Sequence, residues 1–284
     1  MLYLGIDRLI TLYLFSLLRT LNYFCKKRHI PILMYHSISK NSENGIHPYY
    51  RINTSPDIFA EHMRFINENN YSVTTLLDVK NHIESGIKIT NKYVVITFDD
   101  GYCDFYTEAF PVLQKYGFTA TVFLPTGFVS KKGLKFKENE TLTWNQVREL
   151  NNNGISFGSH TVTHPQLKSL RKEDIRHEII HSKEVIEDKL GESIRAFSYP
   201  FAFPDEDNGF MTFLRDVLQE SRYDCGVTTR IGTTSMKDDI YFLKRIPINS
   251  LDNKKLLNAK LNGYYDWCYY VQLVSKIISA KLKN

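Results

Sequence analysis

The chain has 284 residues, 43% of them apolar and 13% aromatic, enough to bury one substantial core. Its net charge of +5 is the small difference between 36 basic and 31 acidic side chains spread along the sequence, so no nucleic-acid partner is implied. Four scattered cysteines, Cys25, Cys103, Cys225 and Cys268, form no CxxC pair, which excludes a thiolate zinc site and a dense disulfide framework.

The first predicted element is N-terminal. Leu9 to Leu18 is strongly apolar but ends at Arg19, too short to span a bilayer, and it lacks the basic start and small-residue site of a cleavable signal peptide. At helical spacing Arg8, Thr11, Arg19, Asn22 and Lys26 share one side and Leu9, Ile10, Tyr13, Leu14, Leu17 and Leu21 the other. Residues 1–28 therefore read as an amphipathic helix, with two destinations open. Through residues 1–25 it could make a peripheral membrane contact, or it could dock on its own domain. The C-terminal stretch Tyr264 to Lys283, also aromatic and apolar with a basic end, could pack with it or share the lipid. A membrane-associated or cell-envelope location is expected over a freely cytoplasmic one.

From His29 short apolar runs alternate with amphipathic helices, the pattern of an α/β domain over 29–250, followed by a helical tail over 251–284. Ile32 to Tyr35 reads as a first strand. Ser55-Pro-Asp57 opens a helix to about Asn69, with Phe59, Met63 and Ile66 on its inner face. Tyr93 to Phe98 is a strand that runs into Asp99-Asp100-Gly101. A helix from about Phe105 to Tyr116 ends at Gly117, and Thr119 to Leu124 is the next strand. Helices over Trp144 to Asn152, Lys172 to Leu190 and Phe210 to Ser221 then alternate with strands over Ile155 to Gly158, Ala196 to Tyr199 and Cys225 to Thr228. Ser130 to Thr141 is Lys-rich and reads as a surface loop.

Three clusters stand at strand ends: Thr97-Phe-Asp-Asp-Gly101, Ser159-His-Thr-Val-Thr-His164, and His36 within Leu33-Met-Tyr-His-Ser37. Two imidazoles three residues apart can grip one ion, and one carboxylate completes a facial set with open positions for water. A second carboxylate beside that ion stays ionised and can take a proton. Taken alone, Asp-Asp-Gly is a common turn and His-x-x-x-His a common helix pair; both together, each directly after a strand, read as a hydrolytic metal site. His29, His47, His62, His82, His177 and His181 lack such a setting and read as surface or helix residues.

TFDDG, SHTVTH, Arg195-Ala-Phe-Ser-Tyr-Pro-Phe201 and the stretch from Ala109-Phe-Pro-Val-Leu113 to Ala120-Thr-Val-Phe-Leu-Pro125 resemble the successive motifs of the polysaccharide deacetylase family, the NodB-homology or carbohydrate esterase 4 family, over roughly residues 30 to 250. The resemblance implies a deformed (β/α) barrel in which Asp100, His160 and His164 hold a divalent metal, zinc by default with cobalt or nickel also accepted, and Asp99 is the general base. It implies an oxyanion donor in the Phe201 backbone N–H. Many members carry a base-orienting arginine two residues before the motif proline. Ser198 stands there in this chain, and Arg195 is the nearby candidate.

Many members also place a catalytic-acid histidine late in the domain, and no histidine follows His181. The Leu-Met-Tyr-His opening resembles instead the branch that deacetylates biofilm poly-N-acetylglucosamine, where the acid is N-terminal, which makes His36 the acid; the alternative is a strand-capping histidine bonded to backbone. Tyr35, Tyr102, Tyr199 and Phe201 could stack on sugar rings or belong to the core. The implied activity is hydrolysis of N-acetyl groups on a glycan. The rivals are an O-acetyl esterase using the same groups and a non-catalytic glycan-binding relative.

Overall fold

The structure, a computed structural model, describes residues 6–15, 29–41, 43, 51–86, 91–130 and 134–281. Arg19, Asn22, Cys25, Lys26 and His47, and residues 131–133 of the Lys-rich loop, lie outside the described residues.

Seven parallel strands close into a barrel: β1 (Ile32–Tyr35), β2 (Tyr93–Phe98), β3 (Thr121–Leu124), β4 (Ser156–Ser159), β5 (Ala196–Ser198), β6 (Cys225–Ile231) and β7 (Leu243–Pro247). The order around the ring is β1-β7-β6-β5-β4-β3-β2, and β2 returns to β1 with Ile32 opposite Val95 and Tyr35 opposite Phe98. A deformed (β/α) barrel is thus what the chain forms. Of its seven strands, β7 is the one the sequence reading passed over, and it closes the ring between β6 and β1.

Among the described residues, eight helices of seven residues or more surround or flank the ring: α1 (Pro56–Glu68), α2 (Leu76–Ser85), α3 (Phe110–Tyr116), α4 (Trp144–Asn152), α5 (Lys172–Leu190), α6 (Asn208–Glu220), α7 (Lys254–Leu261) and α8 (Cys268–Lys281). Helix α1 begins where expected, with Pro56 in its first turn, although the Ser55 side chain makes no capping bond. Helix α2 was also passed over, despite a reciprocal capping box between Thr75 and Asp78. Gly117 and Gly191 end α3 and α5 in the left-handed conformation.

The two-residue period of a strand divides the apolar side chains. Leu33, Tyr35, Ile96, Phe98, Val122, Leu124 and Phe197 join the layer packed against the helices. Ile32, Val95, Phe123, Ala196, Cys225, Val227 and Leu243, on the alternate positions, form a second cluster within the barrel. That register then carries Thr97 and Asp99, Ser198, and Arg245 toward the interior at the strands' C-terminal ends. Cys103, Cys225 and Cys268 are free thiols.

Candidate active site

Val95, Thr97 and Asp99 share the inward face of β2, so strand periodicity alone brings the Asp99 carboxylate into the barrel mouth. The chain then turns sharply, with Asp100 at φ 70° and Gly101 at φ 58°. The left-handed conformation favours glycine at position 101, where a Cβ would also stand 2.7 Å from Leu124 Cδ2 and require that side chain to shift.

Asp100, His160 and His164 are all buried, and one ligand atom from each lies within 4.8 Å of the others. Asp100 Oδ1 is 3.3 Å from His164 Nε2 and 3.6 Å from His160 Nε2. His160 Nδ1 lies 2.7 Å from the Ser198 carbonyl, which can only accept, so Nδ1 carries the proton and Nε2 faces the carboxylate with its lone pair. Thr161 and His164 are both in the left-handed region, at φ 70° and 56°. For residues other than glycine this costs about 1–2 kcal/mol each. Glu178 on α5 helps to hold this loop, accepting from the backbone N–H of Val162 at 2.8 Å and of Thr163 at 2.9 Å. The second Asp100 oxygen accepts from Tyr102 Oη at 2.9 Å and Lys137 Nζ at 3.1 Å, whereas buried Oδ1 accepts no hydrogen bond among the described residues. A buried carboxylate oxygen without a donor, facing two imidazole nitrogens, is a donor set that fits a divalent cation. Burial would push the Asp100 carboxyl up, but the two adjacent imidazoles and Lys137 hold it well below the usual carboxylate range.

Asp99 is held differently. Arg245 Nη1 donates to Asp99 Oδ1 and Nη2 to Oδ2, each at 2.7 Å. The guanidinium is fully buried, and its remaining donors reach the Thr228 carbonyl (3.0 Å), Thr97 Oγ1 (3.4 Å) and Ser198 Oγ (3.0 Å). All five N–H groups therefore have an acceptor, which is what permits a charged group inside the barrel. Burial acts to raise the Asp99 carboxyl, and Arg245 and His160 overcome it, bringing it down to about 2.

His36 follows β1 directly and lines a cleft of about 320 Å³ together with Asp99, His160, His164, Phe201 and Lys137. Among the described residues its imidazole has no hydrogen-bond partner. Burial lowers its pKa, and Asp100 and Asp99 oppose that shift in part. Phe201 sits at φ 59° with 48% of its surface exposed, its ring 4.8 Å from that of His164. The Phe201 carbonyl accepts from Thr229 Oγ1 at 2.9 Å, while its N–H donates to no described residue.

Four expectations need correction. Arg195 does not reach Asp99; it lies half-exposed and pairs with Asp224 at 3.1 Å, and it is Arg245 of β7 that pairs with Asp99. Tyr35 is fully buried against Phe59 and Phe98 and bonds His62 Nδ1 at 3.0 Å, so it cannot stack on a sugar. Tyr102 is buried behind Asp100 and serves that carboxylate. The Lys-rich segment is not a plain surface loop: Lys135–Phe136 and Asn139–Glu140 pair as a hairpin whose turn sends Lys137 to Asp100. Tyr199 lines the cleft but is almost wholly buried, packed on Phe197 and Phe203. Arg245 was legible only as the middle of an inward series, Leu243, Arg245, Pro247, had β7 been read as a strand.

Residues 87–210 match the polysaccharide deacetylase family. YxkH of Bacillus subtilis (strain 168), which bears a polysaccharide deacetylase name, is 31% identical over 224 residues, 79% of this chain and 73% of that one. The poly-beta-1,6-N-acetyl-D-glucosamine N-deacetylase of Escherichia coli (strain K12) is 33% identical over 111 residues, which cover 36% of this chain and 16% of that protein. Among solved structures, the Streptococcus pyogenes deacetylase PplD in complex with acetate superimposes with a TM-score of 0.71 at 28% identity, over 83% of this chain and 99% of that one.

Proposed function

This chain belongs to the polysaccharide deacetylase family, and on that footing we propose that it is a metal-dependent hydrolase that removes N-acetyl groups from amino sugars of a polysaccharide or glycoconjugate. The observation that carries the reading is the Asp100, His160 and His164 donor set standing beside a clamped, ionised Asp99 in one cleft.

Asp100, His160 and His164 would hold the ion, zinc first among the candidates because two imidazoles and a carboxylate suit it. When bound, a divalent cation there would acidify water and polarise the acyl carbonyl, which a base held as low as about 2 requires. The chain's own groups supply the remaining steps. Asp99, fixed in orientation by Arg245, accepts the proton of the attacking water. The Phe201 N–H donates to the oxyanion as the carbonyl carbon becomes tetrahedral. His36 donates a proton to the departing amine, which leaves very poorly without one. With its pKa lowered, His36 is protonated in a smaller fraction of molecules at neutral pH but is the stronger acid when it is. On this reading the protein works at the cell envelope on an N-acetylated polymer.

The test is acetate release from short N-acetylglucosamine oligomers by zinc-loaded protein, with Asp99→Asn alongside and acetyl-ester sugars as a second substrate. Acetate from the amide with wild type alone supports the proposal, and Asp99→Asn should still retain zinc. Turnover confined to the esters would make it an O-acetyl esterase. Failure of the wild type to bind zinc would favour a non-catalytic glycan-binding relative.

A further inference from the structure

Helix α8 turns two polar side chains inward and an apolar face outward. Its polar residues Gln272 and Lys276, one turn apart, point into the protein. Gln272 Oε1 accepts from Ile231 N at 3.2 Å and its Nε2 donates to the Thr229 carbonyl at 2.9 Å. Lys276 Nζ donates to the Phe203 carbonyl and to Asp205 Oδ2, both at 2.6 Å. The opposite side carries Tyr270, Val271, Val274, Ile277 and Ile278, spaced as one helical face and all exposed, from 38% for Ile277 to 69% for Tyr270. Isolated exposed apolar side chains are ordinary; a continuous apolar face beside inward-facing polar residues is not.

A second element adds to it. The helical segment over residues 6–15 exposes Ile6, Leu9, Tyr13 and Leu14. It is joined to the approach of α8 by Tyr265 Oη donating to Asp7 Oδ2 at 2.6 Å and Trp267 Nε1 donating to Thr11 Oγ1 at 3.1 Å.

We propose that the outer face of α8, together with the exposed residues of the N-terminal segment, lies in the interface of an anionic lipid bilayer. Fourteen residues of helix extend about 21 Å, short of the roughly 30 Å hydrocarbon core, and among the described residues no helix is long and apolar enough to cross a membrane. The face must therefore lie along the surface. Charge complementarity selects the occupant. From Trp267 to Asn284 the sequence has no acidic residue and, besides the inward-turned Lys276, carries Lys281 and Lys283. A second copy of this helix offers no carboxylate to such a face, whereas anionic headgroups do. Tyr13 and Tyr270 supply amphipathic rings of the kind favoured at headgroup depth.

The same helix braces the catalytic cleft. Thr229, whose carbonyl Gln272 holds, donates its hydroxyl to the Phe201 carbonyl and accepts from Phe203 N at 3.0 Å. Docking through α8 thus fixes how the cleft rim stands relative to the bilayer.

The experiment is co-sedimentation of the full chain with phosphatidylcholine vesicles prepared with and without phosphatidylglycerol. It compares wild type with a variant combining Val271→Ser, Val274→Ser and Ile278→Ser. These side chains are exposed, so unchanged thermal unfolding is expected and is checked. The wild type should sediment with the phosphatidylglycerol vesicles, and the variant should bind at least about tenfold more weakly. A wild type that stays in the supernatant with both vesicle types would overturn the proposal, as would equal binding by the variant. So would a wild-type dimer in sedimentation equilibrium that the triple substitution dissociates, since the face would then belong to a second copy. Acetate release from soluble oligomers by the same preparations is expected to be equal, which separates failure here from failure of the deacetylase reading.

Discussion

Arg245 and Asp99, 146 positions apart in sequence, share a bidentate ion pair with both N···O distances at 2.7 Å inside the barrel. Neither group could be there alone. Removing the guanidinium by Arg245→Met leaves a buried carboxylate without its counter-charge, a loss of about 3–5 kcal/mol. Urea unfolding measures it. Arg245→Lys should recover only part, because one ammonium cannot satisfy the five acceptors that the guanidinium meets, and acetate release should fall in both variants. A stability loss below about 1 kcal/mol for the methionine variant would show that the pair does not hold the barrel mouth together.

His36→Ala should lower kcat on the acetamide by about a hundredfold to ten-thousandfold while bound zinc stays stoichiometric. With p-nitrophenyl acetate, whose leaving group needs no proton, the loss should be small. Equal losses on both substrates would assign His36 to something other than proton donation.

Lys137 competes for Asp100. Its ammonium, on a side chain 43% exposed, sits 3.1 Å from the Oδ2 atom, so the metal-free carboxylate already has a cation. Lys137→Ala should tighten zinc binding by about two- to fivefold, the range expected of a solvent-accessible pair. Competition with a fluorescent chelator reads the change. Weaker binding in the variant would mean that the lysine supports the metal site and does not oppose it.

Asp266, just before α8, accepts from Thr233 N at 2.9 Å and Thr233 Oγ1 at 2.5 Å, yet burial outweighs these bonds and pushes its carboxyl up to about 6. The native state then binds the proton more tightly than the unfolded chain, whose aspartate titrates near 3.9. Stability from this group is fully present below about pH 4 and is lost as pH rises through about 6, by roughly 2–3 kcal/mol. Asp266→Asn should remove that component. The difference between wild-type and variant unfolding free energies, followed from pH 4 to pH 7, is the measurement; a difference independent of pH would refute the assignment.

Six of the seven barrel strands were legible because each is a short apolar run set between helices with their own periodicity, and the candidate metal donors were legible because each cluster follows such a run. Strand β7 was not. Leu243-Lys-Arg-Ile-Pro247 has two cations and a proline in five residues, a pattern that opposes a buried strand unless something inside the fold accepts the charge. Local patterning was enough for Asp99, Asp100, His160 and His164, since strand alternation and the turns that follow fix where those side chains go. The partner of Asp99 was a matter of tertiary structure. Arg195, five residues before Pro200 and within the motif in sequence, faces solvent and Asp224, while Arg245 reaches Asp99 because ring closure sets β7 between β6 and β1, one strand away from β2. The roles of the aromatic residues divided in the same way: sequence marks Tyr35, Tyr102, Tyr199 and Phe201 alike, and only the packing of the helices around the barrel buries the first three and leaves Phe201 at the cleft. Sequence by itself determined the chemistry available to this protein, because residue type and strand period act locally. Which charge stands next to which was decided by the closure of the barrel, because a buried ion pair forms only where distant strands meet.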